Sequence, residues 1–157
     1  MRTRYLLLFG LVFLTACNST SSLDQGDLKK LQGNWRLVYQ QIDGNKIPDE
    51  QAARMFKGRM TFKRDKVVYA ADLPGFYFED SYSIDPAKRP HTIDLKIERA
   101  RDREDLGSSY LGIYILRGDD LLICWNEQGR PDEFSAAAGT GNTLVVLKRA
   151  RPKGVTH

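Results

Sequence analysis

The sequence predicts an all-β fold: an eight-stranded antiparallel up-and-down barrel with one short helix. Three observations predict it. Apolar residues recur at every second position in short runs, which is the strand period. Gly, Pro and Asp-Gly break these runs at hairpin spacing, and no stretch reads as a strand–helix–strand crossover. Each run offers an apolar face, and eight sequential strands hide such faces and their edges most simply by closing. A two-sheet sandwich is the alternative.

The first strand is 34–42, NWRLVYQQI, with Trp35, Leu37 and Tyr39 on one face. DGNKIP turns the chain. Residues 49–56, DEQAARMF, form the helix candidate: Asp49 is placed to cap it and Pro48 precedes it. In 58–63 Met60 and Phe62 point inward, against Arg59, Thr61 and Lys63. RDK leads into KVVYAA, and DLPG into FYFEDSYSI, 76–84, where Phe78, Tyr82 and Ile84 share a side. HTIDLKIER, 91–99, alternates without a break, with Ile93, Leu95 and Ile97 inward. YLGIYILR, 110–117, is apolar on both faces and needs cover on both. LLICWN, 121–126, and TLVVLKR, 143–149, complete the set, separated by a long loop. RPKGVTH, from 151, reads as a tail.

The chain begins with a different signal. Met1 to Arg4 is basic, and residues 5–16, YLLLFGLVFLTA, carry no charge. Twelve helical residues span about 18 Å, too short for a bilayer core of about 30 Å, so residues 1–16 read as a secretory leader. Leu14-Thr15-Ala16-Cys17 resembles the lipobox of bacterial lipoproteins. The resemblance implies cleavage before Cys17, diacylglyceryl transfer to its thiol and anchorage to a membrane. Asn18 rather than Asp follows, which by analogy with Gram-negative lipoproteins favours the outer membrane. Residues 18–25, NSTSSLDQ, are too polar to pack, so 17–27 is expected to be a lipidated tether. The barrel domain is then 28–150.

Loss of Arg2 and Arg4 with the leader reduces the 24 Lys+Arg to 22, against 20 Asp+Glu. The mature chain is close to neutral, which gives no footprint for nucleic acid. Of the two cysteines, Cys17 is assigned to lipid, leaving Cys124 without an intrachain partner. A disulfide framework and a cysteine zinc site are excluded. Within LLICW, Cys124 is expected to be buried and inert.

Two further resemblances bear on the fold. Gly33-Asn34-Trp35, at the opening of the first strand, resembles the G-x-W signature of lipocalins. That resemblance implies a tryptophan across one barrel end, covered by a basic residue of the last strand, Arg149 or Lys148. LQGNWRLV, DGNKIP, SIDPAKRPHTIDL, LGIYILRGDDLLIC, RPDEF and LVVLKR resemble, in that order, an uncharacterised secreted domain of planctomycete bacteria. This implies a lipocalin-like barrel and brings no activity with it.

No constellation of catalytic residues is visible. His91 and Asp94 lie three apart on a strand and face opposite sides. No serine sits in a nucleophile elbow, and GTGNT, 139–143, precedes a strand and not a helix, so it is read as a loop. Neither a metal site nor a cofactor is expected. Asp80 shares parity with Phe78 and Tyr82. Its expected place is the barrel mouth, in water; inside the barrel it would need an arginine or a tyrosine hydroxyl. Arg130 in GRPDEF offers a planar fork to an anion, but the favoured reading pairs it with Asp132 or Glu133 in a loop plugging a barrel end. Arg89-Pro90 is read the same way.

The expected function is a non-enzymatic, membrane-anchored binding module for a small apolar or amphipathic ligand. The candidate lining is Trp35, Leu37, Tyr39, Met60, Phe62, Phe78, Tyr82, Ile93, Leu95 and Ile97. The rival is an envelope protein whose barrel is packed solid and whose loops meet another protein.

Overall fold

The structure, a computed structural model, describes residues 22–48, 58–70, 77–100 and 106–150. A helix, α1 (Ser22–Leu31), precedes nine strands: β1 (Gly33–Ile42), β2 (Asn45–Lys46), β3 (Arg59–Lys63), β4 (Lys66–Ala70), β5 (Tyr77–Asp85), β6 (His91–Arg99), β7 (Ser109–Arg117), β8 (Asp120–Asn126) and β9 (Thr143–Arg149). All pairings are antiparallel. The order runs β2-β1-β3-β4-β5-β6-β7-β8-β9, and β1 also pairs with β9. That last pairing closes the sheet. Eight strands form the wall of an antiparallel, lipocalin-like barrel, and β2 is a two-residue flap on β1. Asp43 (φ 45°) and Gly44 (φ 84°) make the tight turn into that flap, with both central residues in the left-handed region that Asp-Gly favours.

The helix differs in place from the one expected. The 49–56 candidate, the leader, Cys17 and the tail from 151 lie outside the described residues. The described helix begins at Ser22 and so occupies the end of the stretch expected to be tether. Its sequence, SLDQGDLKKL, has no broad apolar stripe. Tertiary contacts account for it: Leu31 is fully buried and Leu28 packs on the barrel core.

The barrel has two distinct ends. At one gather the start of β1, the turns at 64–65, 86–90 and 118–119, the end of β9, and α1. At the other lie the end of β1, the start of β5 and the long loop 127–142. Cross-strand partners show which side chains face inward. Trp35 lies opposite Met60 and Arg149, Phe62 opposite Val67, Tyr82 opposite Leu95, Ile93 opposite Gly112, and Ile123 opposite Val145. Trp35, Phe62, Val67, Ile93, Leu121, Ile123 and Leu147 are almost wholly buried and fill the interior toward the α1 end.

Two bulges interrupt the pleat. In β1 the register slips between Leu37 and Tyr39: Leu37 pairs with Leu147, Tyr39 with Val146 and Gln40 with Val145. Beyond the slip every side chain changes face. Tyr39, expected in the lining, is therefore on the outside, where its hydroxyl donates to Gln41 Oε1 at 2.8 Å and Lys46 lies 5.5 Å from its ring. Gln40 takes the inward place. A second slip, in the β5–β6 pairing, leaves Glu98 of β6 as the extra residue; Asp80, in unbroken register with β4, pairs with Val67 and with Ile97 on the buried face.

The loop 127–142 folds down the outer wall of β7–β9. Arg130 donates to the Gly112 carbonyl and, at 2.6 Å, to Asp94 on the outer face of β6. Pro131 and Ala136 are buried under the loop, and Cys124 Sγ lies 3.4 Å from the Ser135 carbonyl. This cover explains why 110–117 is apolar on both faces: Tyr114 looks inward and Ile113 lies beneath the loop. The expectation that the loop plugs a barrel end with Arg130 paired to Asp132 or Glu133 is corrected. Asp94 wins because it stands opposite the guanidinium on a rigid strand.

Candidate functional site

The end carrying α1 is sealed. Trp35 lies across it, fully buried, and its Nε1 donates to the Leu31 carbonyl at 2.7 Å. Arg149 lies over the Trp35 ring, 4.2 Å from its centroid, so the last strand's arginine and not Lys148 makes the cation–π contact. The same guanidinium donates to the carbonyls of Lys30 and Gln32 at the C-terminus of α1, where unpaired carbonyls and the helix dipole both favour a cation. Asp27 receives the Tyr114 hydroxyl at 2.9 Å and faces His91 Nδ1 at 3.6 Å. Gln32 bonds the Arg64 backbone and the Tyr82 hydroxyl, which ties α1 to the β3–β4 turn. A helix held at so many points is a lid on this end of the barrel.

The other end is polar within. Asp80 is 5% exposed and sits on the inner face of β5. Its partner is the Tyr69 hydroxyl on β4. Burial raises the Asp80 carboxyl to about 6, with Glu98 adding to the rise and the Tyr69 hydrogen bond opposing it. Burial also raises Tyr69 well above the usual phenol range, helped by the charge of Asp80 and by Tyr110 across the barrel. Gln40, 6% exposed, points inward from β1, and its Oε1 is buried with no hydrogen-bond partner among the described residues. Tyr69 is the penultimate residue of β4, Tyr110 the second of β7 and Trp125 the penultimate of β8, so all approach this same end. The expectation that Asp80 lies at the mouth in water is corrected: parity with Tyr82 holds along β5 and puts Asp80 on the buried face, beside Tyr69.

Most of the sequence-derived lining faces inward. Trp35, Met60, Phe62, Tyr82, Ile93, Leu95 and Ile97 are buried, and Leu37 and Phe78 are partly so. Tyr39 is the exception. Gln40, Tyr69, Tyr110 and Trp125 were not singled out by the sequence. Parity with Val67 points to Tyr69, and parity with Gly112 and Tyr114 points to Tyr110. No signal within the first strand reveals Gln40, because its bulge is set by pairing with β9.

Other candidates are accounted for. His91 and Asp94 face opposite sides and have separate partners, Asp27 and Arg130. Asp119 and Asp120 pair with Arg149 and Lys148. Among the described residues no group of three His, Cys, Asp or Glu side chains is placed to hold a metal. A cleft of about 390 Å³ lies outside the barrel between Arg89, Pro90 and the Arg130–Asp132 stretch, and one of about 480 Å³ flanks α1 beside Leu28 and Arg64. No helix among the described residues is long and apolar enough to cross a membrane, which has no bearing on strands.

No protein-family model, curated protein or solved structure matches the chain.

Proposed function

We propose that this protein is a lipid-anchored, non-enzymatic binding module whose barrel takes a small amphipathic molecule through the end opposite α1. One observation carries the reading. The Gln40 amide oxygen is buried inside the barrel with no hydrogen-bond partner among the described residues. Buried polar groups are nearly always paired, so an orphan inside a barrel is a group that a ligand donor would satisfy. The sealed α1 end supports the same reading, because a ligand would have to enter from the opposite end. Anchorage rests on Cys17, whose thiol would carry the acyl chains; burial of these in a membrane contributes about 0.8 kcal/mol per methylene.

A second reading has its own support. The interior near α1 is filled by Trp35, Phe62, Tyr82 and Tyr114, as in an eight-stranded barrel packed solid. An envelope protein of that kind would use its outer loops instead. Native mass spectrometry of the delipidated protein from its own host separates the two. A bound amphiphile of a few hundred daltons is the expected result, and a bare chain mass in every preparation would discard the binding reading.

A further inference from the structure

The outer wall carries a site of its own. We propose that the cleft between the β5–β6 turn and the loop 127–142 binds a small carboxylate with a compact apolar body, held by Arg89 and Arg130. The cleft lies outside the barrel, so this site stands or falls separately from the binding function above.

Arg89, Pro90, Ile113, Arg130, Pro131 and Asp132 border one cleft of about 390 Å³, room enough for a small organic molecule. Its whole lining belongs to the described stretches 77–100 and 106–150. Backbone carbonyls hold both guanidiniums in place. Arg89 Nη1 donates to the carbonyls of Pro86 at 2.8 Å and Lys88 at 2.7 Å, and Arg89 has no ion pair among the described residues. Its Nε and Nη2 donors are unspent. Arg130 Nη1 donates to the Gly112 carbonyl and Nη2 to Asp94 at 2.6 Å, which leaves its Nε and a second Nη2 hydrogen. Ile113 and Pro131 are buried and, with Pro90, give the cleft its apolar surface.

The chemistry selects an anion. Lys88 also borders the cleft, so three cations face one carboxylate, Asp132. Asp94 offsets part of the Arg130 charge, and Asp85 accepts the Ala87 amide within the β5–β6 turn. A guanidinium presents paired N–H donors that match the two oxygens of a carboxylate. Asp132 opposes a doubly charged head, which favours a monoanion. The prolines and Ile113 favour a hydrocarbon body over a fully hydrated ion. Both arginines are in place before the ligand arrives, so little ordering opposes binding. Arg130, a fork that the sequence offers to an anion, is thus not consumed by Asp132 or Glu133 of its own loop.

The test titrates three probes of matched length, phenylacetate, phenylethanol and phenylethylamine, into the isotope-labelled full chain carrying Cys17→Ser. Binding is read by nuclear magnetic resonance at the arginine Nε–H and Ile113 methyl signals. Phenylacetate should give saturable shifts at Arg89, Arg130 and Ile113. It should bind about tenfold or more tighter than phenylethanol, with phenylethylamine no tighter than the alcohol. Arg89 bonds only its own turn, so Arg89→Gln keeps the fold. That variant should weaken phenylacetate about tenfold and leave phenylethanol within about twofold. Asp132→Asn removes the like charge and should tighten phenylacetate. Equal affinity for acid and alcohol, or an acid preference that survives Arg89→Gln, overturns the site. So does the absence of saturable shifts with all three probes at millimolar concentration. Shifts confined to inward residues such as Ile123 overturn it too, and leave the binding function of the barrel standing.

Discussion

Asp80 shows how a single residue can record a purpose other than stability. Folding takes its carboxyl out of water and supplies one phenol in return, and the carboxyl rises from 3.8 to about 6. The folded form therefore holds the proton more tightly than the unfolded chain. Between about pH 4 and pH 6 the native state binds more protons, so stability falls as pH rises through that window and stays low above it. The full shift corresponds to about 3 kcal/mol at most. Asparagine at this position has nothing to ionise. Urea denaturation at pH 4.5 and pH 7.5 should therefore show Asp80→Asn gaining on the wild type at the higher pH and losing the advantage at the lower. Equal differences at both would mean that the carboxyl is solvated. The parity of Phe78, Asp80 and Tyr82 was visible in the sequence. The burial of Asp80 was not, because it needs the Tyr69 hydroxyl from a neighbouring strand.

At the level of elements, alternation located the strands well wherever one face meets the core and the other meets water. β6 is the clearest case, with Ile93, Leu95 and Ile97 buried and both Lys96 and Glu98 exposed. Alternation says little where tertiary contact decides. α1 is polar, and it is held by Arg149, Asp27 and Gln32 reaching across the barrel end. Val38 is an extra residue only with respect to β9. The loop 127–142 is a third case: its Gly, Pro and Ala content reads as linker, yet it packs on the outer wall. Burial raises the Cys124 thiol, against the Ser135 carbonyl contact that lowers it. In the native protein a thiol reagent should leave the Cys124 peptide unlabelled over the time in which an unfolded chain reacts fully. Arg130→Ala removes the tie to Gly112 and Asp94 and should speed that labelling by about tenfold or more. Labelling of the variant at the native rate would show that the loop holds its place without the arginine.

For the molecule as a whole, the asymmetry of the two ends sets an orientation. If Cys17 carries the lipid, the chain from Cys17 to Ser22 reaches at most about 18 Å. α1 lies on the sealed end, so that end must sit near the bilayer. The opposite end then faces away by about the height of the barrel, roughly 25 Å for tilted strands of this length. Such a module meets ligands arriving from the aqueous side or an opposed membrane, and not those in the leaflet that holds it. Closure, strand order and an inward apolar lining were legible from eight alternating runs and short turns. The polarity of the barrel was not, since it depends on where a polar helix docks. Single-cysteine probes read the orientation. Lys88 is exposed in a turn at the sealed end, and Asn45 is exposed beside the β1–β2 turn at the other. With the acylated protein in vesicles bearing a headgroup quencher, a fluorophore at Lys88→Cys should be quenched strongly and one at Asn45→Cys weakly. The reverse order would turn the barrel over, placing the end that holds Asp80 and Gln40 against the membrane that anchors it.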